Sequence, residues 1–458
     1  MDDRHLIIVG GGITGLSAAW EASIHPGWTV TVLEAGPIFG GKLRASEFMG
    51  RSIDEGADAF LLRVPHAREL CEEIGFTDLV HPAATRASVF LDDTLRLLPT
   101  TTVLGVPIDL DDPALANVLS PAGIERARLE PTLAGMPATG DIGAGELVRS
   151  RFGDEVADRL VGPLLGGINA GDPDRLSVLA GVPQFAAALA APNMSAALSR
   201  AKASAPDGPV FGAPRTAMAS IPTRLAELLS ERGVRLVENW PCQGLEPAGG
   251  RWRVNGPSDE LLADQVIIAT PAHVAARLLT PLAAEPAALL ADIESSSVAL
   301  VTLAYDPADA VLDPSISGFL VPREAGLTLT AASWGTSKWP HWLDAEAHPI
   351  LRVSAGHRND PGAVELPDDE LLSRLGDDLE RTMGITAAPV ATRVTRWREG
   401  FPQYDVGHLD RIALLESMLA TAVPGIQVTG AAHRGLGVPA CIAQGRAAAR
   451  AVWQSQKP

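Results

Sequence analysis

Gly10, Gly12 and Gly15, in "IIVGGGITGLSAA", have the spacing that lets a backbone wrap a pyrophosphate. Gly10 permits a tight turn, Gly12 lets the chain approach phosphates, and Gly15 lets a helix cross close to a strand. Further on, Glu34 closes the run "TVTVLEA" and offers a carboxylate to a ribose hydroxyl. The chemistry implied is dinucleotide binding. It needs a short buried strand (Leu6–Val9), a helix from near Thr14 whose N-terminal N–H groups face the anion, and a second strand ending at Glu34. A second glycine-rich stretch, "LVGPLLGGINAGDPDRLSV" (Leu160–Val178), carries no catalytic His or Cys. By composition it is a helix end followed by a Gly-Asn-Gly-Asp-Pro turn.

The 458 residues suit two or three domains, and 46% hydrophobic with 20% charged residues is a globular mix. A net charge of −18 disfavours nucleic acid and anionic membrane surfaces. Cys71, Cys242 and Cys441 are far apart and outside any CxxC pair, which argues against a disulfide framework or zinc site and for a reducing compartment. The start is acidic rather than a basic leader, and the uncharged run Leu176–Ser199 is broken by Pro183 and Pro192. The expected location is cytoplasmic, with no membrane span.

After Glu34 come a glycine turn (Gly40, Gly41) followed by Lys42, a hairpin, and "EGADAF" (Glu55–Phe60). A plain dehydrogenase would continue through further βαβ units. This order resembles the FAD-dependent amine oxidase superfamily. The resemblance implies an α/β fold: a discontinuous Rossmann-like FAD-binding domain in pieces 1–85, 211–275 and 393–458, a mainly helical insertion at 86–210, and a mixed or antiparallel sheet carrying the substrate at 276–392. Within the insertion, "GAGELVRSRFGDEVADRLVGPLL" reads as an amphipathic helix.

Five strings narrow the resemblance: "RFGDEVADRLVGPLLGGINAGDPDRLSV", "GFLVPRE", "ASWGTSKWPH", "RWREGFPQYDVGHLDRI" and "GLGVPACIAQGRAAA". In this order they are similar to the oxygen-dependent protoporphyrinogen/coproporphyrinogen oxidases of haem synthesis, and "LPTTTVLGVP" and "SKWPH" are like the soluble coproporphyrinogen III branch. The resemblance implies FAD as cofactor, coproporphyrinogen III and oxygen as reactants, hydrogen peroxide as by-product, and transient contact with the next haem-pathway enzyme. It implies no catalytic residue, because the flavin performs the redox step and the protein binds and orients.

By that resemblance Gly10, Gly11, Gly12, Ile13, Thr14, Gly15, Glu34, Ala35, Lys42, Gly56, Ala57, Asp58, Ala59, Cys242, Trp397, Leu436, Gly437 and Val438 contact FAD. Cys242 stands where the family usually has Val, in keeping with a backbone contact or a small buried filler. Trp397 read by itself is a core residue, and its motif makes it a cofactor residue. His408 reads as a structural hydrogen-bonding residue in a turn. Arg63 is a candidate propionate partner, with a surface arginine as the alternative. Gly167, Ile168 and Asn169 are expected beside the macrocycle: the glycine keeps side chains off a flat ring, Ile168 gives an apolar contact and Asn169 a polar one. The chain departs from the family pattern at Ala217, where glycine is common, at Ala440, where an acid often stands, and at His433 and Arg434. Those last two would tune contacts or lie exposed. The competing readings are protoporphyrinogen IX oxidation and a non-catalytic FAD or porphyrin carrier.

Overall fold

The computed structural model describes residues 4–133, 140–186 and 188–454. The chain opens with β1 (Arg4–Val9), α1 (Ile13–Ala22) and β2 (Trp28–Leu33), followed by the hairpin β3 (Ala45–Phe48) and β4 (Arg51–Asp54). A second hairpin, β5 (Arg86–Leu91) and β6 (Thr94–Leu97), precedes a helical region that contains α2 (Ala144–Phe152) and α3 (Gly162–Asn169). Then come α4 (Ser220–Glu231), β7 (Arg235–Val237) and β8 (Gln265–Ile268). Strands β9 (Ser295–Ala304), β10 (Ile316–Leu320), β11 (Leu329–Trp334), β12 (Ile350–Ala355) and β13 (Ala391–Pro402) follow, and α5 (His408–Ala422), β14 (Ile426–Val428) and α6 (Val438–Gln454) close the chain.

A parallel five-stranded sheet has the order β7-β2-β1-β8-β14, so it is assembled from separate stretches of sequence. Its central strand is buried on both faces. Leu6 and Ile8 face a core shared with α1, while Ile7 and Val9 face a second core with Trp240 and Cys242. That two-residue alternation is why "LIIV" must be apolar throughout.

The second sheet has seven strands in the order β13-β9-β12-β11-β10-β5-β6, antiparallel except for β10 with β5. Residues 86–97 therefore extend this sheet instead of belonging to a helical stretch. Ser88 and Val89 pair with Phe319 and Leu320 of β10, and the turn places Asp92 and Asp93 at φ 50° and 56°, the left-handed geometry that closes tight hairpins and that Asp tolerates. The amphipathic run expected as one helix is broken once and widened once. Gly153, at φ 92°, ends α2. A wide π-type turn at Ala157–Val161 then precedes Pro163, which lacks the N–H needed to continue a regular ladder. Among the described residues no helix is long and apolar enough to cross a membrane.

Candidate functional site

The glycine loop after β1 is built by close contacts. Gly10 has φ 108°, and a Cβ there would lie 2.7 Å from the Ala269 carbonyl oxygen. A Cβ on Gly15 would lie 1.9 Å from the Gly10 oxygen, so only glycine lets α1 cross here. Gly12 differs: its nearest neighbour would be the Gly41 Cα at 3.8 Å, which leaves the backbone bare toward the groove. The Gly40 N–H donates to the Gly11 carbonyl at 2.9 Å, joining the two glycine turns. No side chain caps α1, so its first N–H groups, from Ile13 through Gly15, lack intrahelical acceptors. This is a fitting cradle for a pyrophosphate.

Glu34 accepts N–H bonds from Gly11 (2.9 Å) and Gly36 (2.8 Å), so its carboxylate braces the loop. Ala35 is exposed just beyond it. Cys242 is buried with Leu33 and Trp240 under the ends of β1 and β2, its thiol pushed up to about 11 by burial. In the last helix, the Cys441 thiol of the first turn donates to the Leu436 carbonyl at 3.6 Å. A Cβ on Gly445 would strike the Thr14 oxygen at 2.1 Å, so α6 lies tight along α1. This brings Leu436, Gly437 and Val438 toward the glycine loop. Tyr404 fixes their loop: its hydroxyl donates to the Ala431 carbonyl and accepts the Gly435 N–H at 2.9 Å, while its ring stacks on His408 at 4.1 Å. His408 is fully buried at the start of α5, with Nε2 2.7 Å from the His433 carbonyl oxygen, a structural position.

The turn Gly56–Ala59 is gripped from the seven-stranded sheet. Arg352 donates to the Gly56 carbonyl, Trp397 Nε1 donates to the Glu55 carbonyl at 2.8 Å, and Arg393 donates to the carbonyls of Ile53 (3.1 Å) and Asp54 (3.2 Å). Asp58 accepts Lys338 Nζ at 2.9 Å on both oxygens and Trp339 Nε1 at 3.1 Å, and Arg352 stands 3.3 Å away. Burial works to raise the Asp58 carboxyl, but the Lys338 and Arg352 charges outweigh it and hold it well below the usual range. Its side chain thus faces a charge hub that clamps the turn to β12, and only the turn's backbone and Ala57 and Ala59 remain to face a cofactor. Lys42 Nζ donates to the Gly400 carbonyl on β13, three residues beyond Trp397.

Beyond this junction lies a cavity of about 230 Å³. One wall is the α3 end and its turn (Gly166, Gly167, Ala170, Gly171); the other is sheet (Val298, Leu300, Phe401). Val298 is paired with Trp397 across β9 and β13, so the same strands carry the clamped turn and the cavity. The turn is held by Gln403 Nε2 donating to the Asn169 carbonyl (3.0 Å), by the Arg358 N–H to the Ala170 carbonyl (2.9 Å) and by Arg323 to the Gly171 carbonyl. Ala170 adopts φ 49°, closing the helix in a left-handed cap.

Gly167 lines this cavity. Ile168 is 49% exposed and is not among the lining residues, because it stands on the outward side of α3. Asn169 is buried and its amide donates to the Leu165 carbonyl at 3.2 Å, so it holds the helix end. Arg63 is exposed before the helix Pro65–Glu73 and does not line the cavity. His433 is buried rather than exposed, and burial lowers its imidazole to about 4. Arg434 reaches out to Glu416 at 2.7 Å. Ala217 keeps an ordinary backbone outside the left-handed region, which is why a Cβ is tolerated there. Sequence reasoning missed Lys338, Arg352, Arg393 and Arg323. Lys338 and Arg323 sit inside the quoted strings "SKWPH" and "VPRE", but nothing local to Arg352 or Arg393 marks them.

Residues 13–453 match the family described as flavin containing amine oxidoreductase. A curated relative from Bacillus subtilis (strain 168), a coproporphyrinogen III oxidase, is 33% identical, the match covering 97% of each chain. A coproporphyrinogen III oxidase from Mycobacterium bovis is 34% identical over 98% of this chain and 97% of its own. A solved chain from Exiguobacterium sp. 255-15 superposes with a TM-score of 0.89 at 30% identity, covering 100% of both. The glycine cradle, the clamped turn and these full-length matches agree. The chain belongs to the flavin containing amine oxidoreductase family, FAD-dependent oxidoreductases, and within it to the coproporphyrinogen oxidase branch.

Proposed function

We propose that this enzyme oxidises coproporphyrinogen III to coproporphyrin III in haem biosynthesis, in the cytoplasm, with oxygen as acceptor and hydrogen peroxide as by-product. The observation that carries this reading is the cavity between the α3 turn and β9. Glycine backbone and the apolar side chains Val298, Leu300 and Phe401 line one part of it, charged and polar groups including Arg149, Arg323 and His357 line the rest, and its strands also hold the turn Gly56–Ala59. Bound FAD supplies the electron acceptance, two electrons at a time, so that six electrons leave the macrocycle in three rounds.

The residues supply binding, orientation and shelter. The α1 N-terminus and Gly12 would hold the pyrophosphate, and Glu34 the ribose. The backbone of Gly56–Ala59, with Trp397 and Lys42, would hold the flavin end. Gly166, Gly167 and Gly171 leave a flat-walled slot, and Val298, Leu300 and Phe401 give the tetrapyrrole an apolar floor. Arg149 in the cavity wall is tied to Asp158 at 2.8 Å and Asp154 at 3.1 Å.

The test is a fluorescence assay on the FAD-loaded protein with coproporphyrinogen III and protoporphyrinogen IX in parallel. Growth of porphyrin fluorescence with peroxide release, faster for coproporphyrinogen, is the expected result. A preference for protoporphyrinogen overturns the substrate assignment, and binding without fluorescence growth makes the protein a carrier.

A further inference from the structure

We propose that Arg323 and His357 form a carboxylate subsite at the polar end of the cavity and take one propionate of a porphyrinogen. The inference deepens the proposed function and rests on it. The two cavity arginines differ in what they have left to give. Arg149 is spent: its guanidinium meets Asp158 at 3.1 and 2.8 Å, Asp154 at 3.1 Å and Asp174 at 3.4 Å. Arg323 directs one amino group to the Gly171 carbonyl and holds the other 3.6 Å from Asp172 Oδ1, beyond hydrogen-bond range. That second group is open to donate a charge-assisted hydrogen bond to a ligand carboxylate.

Asp172 does not need Arg323 to stay satisfied. It accepts Asn359 Nδ2 at 3.2 Å and the Asp174 N–H at 3.1 Å, so turning Arg323 toward a ligand leaves no orphaned carboxylate.

His357 lies at the same end of the cavity. The Asn359 backbone N–H donates to its Nδ1 at 3.2 Å, and a backbone N–H cannot accept, so in the neutral ring the proton sits on Nε2. Burial first, and then the Arg323 charge, push the imidazole below its ordinary value, which keeps it in this neutral form at pH 7. The pair thus offers one charged and one neutral donor at the rim of an apolar slot. That is the chemistry a propionate on a flat macrocycle presents.

The experiment uses FAD-loaded R323Q, R323K and H357Q. Binding of coproporphyrin III is read by fluorescence quenching, and turnover is measured with coproporphyrinogen III and with an octa-alkyl porphyrinogen that has no carboxylates. R323Q should weaken coproporphyrin binding and raise KM for coproporphyrinogen about tenfold, with H357Q showing a smaller rise. R323K should recover part of the loss, and KM for the octa-alkyl substrate should rise clearly less than KM for coproporphyrinogen, because that substrate feels only the loosened Gly171 turn. Equal loss with both substrates means that Arg323 only braces the Gly171 turn, and unchanged coproporphyrin binding means that it meets no carboxylate; either overturns the subsite. Because binding is read without turnover, wild-type protein that oxidises no porphyrinogen overturns the proposed function separately.

Discussion

Replacing Asp58 by Asn removes one charge and keeps the shape. The carboxylate meets Lys338 at 2.9 Å and Arg352 at 3.3 Å, with the three side chains only 14%, 21% and 8% exposed. Deleting one partner of a buried pair costs about 3–5 kcal/mol, because the other charges stay desolvated without a counter-ion. Asn can still accept one bond, and Lys338 is partly solvated, so the low end, about 3 kcal/mol, is expected. At roughly 2 °C per kcal/mol for a large domain, apparent melting falls by about 6 °C.

The same change loosens the turn that Trp397 and Arg352 grip, so flavin release on heating should begin earlier than in wild type. D58N/K338M should be less damaged than the sum of its parts by about 1 kcal/mol or more, since the two residues share one interaction. The pH dependence has a definite sign. A depressed carboxyl contributes its stability above the ordinary carboxylate range and loses it as pH falls through the folded value, so acid below about pH 4 should weaken wild type more steeply than D58N. Differential scanning calorimetry with flavin fluorescence reads all of these. A melting point and flavin retention identical to wild type would refute the clamp.

Three further outcomes follow from the geometry. G12A has room for its methyl, 3.8 Å from the Gly41 Cα, so it should fold normally yet lose about tenfold or more in FAD affinity; equilibrium dialysis showing wild-type affinity would mean that no ligand passes there. Asp54, buried and accepting the Met218 N–H at 2.9 Å, is raised to about 7 by burial, with Asp58 adding and Arg352 opposing. A raised folded value gives stability that is fully present below the ordinary carboxylate range and lost as pH rises toward 7, so urea midpoints measured from pH 4.5 to 8 should decline more steeply in wild type than in D54N. A Cβ on Gly167 would meet Leu320 Cδ2 at 3.1 Å, a yielding side-chain end, so G167L should fold and keep FAD but lose turnover; unchanged steady-state rates would leave the segment as packing alone.

Much of the nucleotide half was legible in the sequence because its physics is local. Strand, glycine turn, helix and Glu34 lie within one short stretch, and each glycine answers to a backbone approach that spacing alone reveals. The buried strand "LIIV" and the helix end near Ala170 are equally local, whereas the break at Gly153 was not legible, because one glycine in an amphipathic run does not by itself end a helix. The clamp and the subsite were decided elsewhere. Asp58 and Lys338 are 280 positions apart, and Arg352 reaches back 296 to Gly56. An isolated Lys or Arg looks the same in sequence whether it faces water or a buried carboxylate.

Arg63 illustrates the converse: its neighbours in sequence suggested a substrate arginine, whereas the described lining of the cavity contains Arg149 and Arg323. Ile168 and Asn169 turned on the helix phase, which the wide turn before Pro163 reset. Local sequence determined which backbone could cradle a dinucleotide. Only tertiary structure decided which charges meet, because ion pairing and desolvation depend on distances that the chain sets by folding.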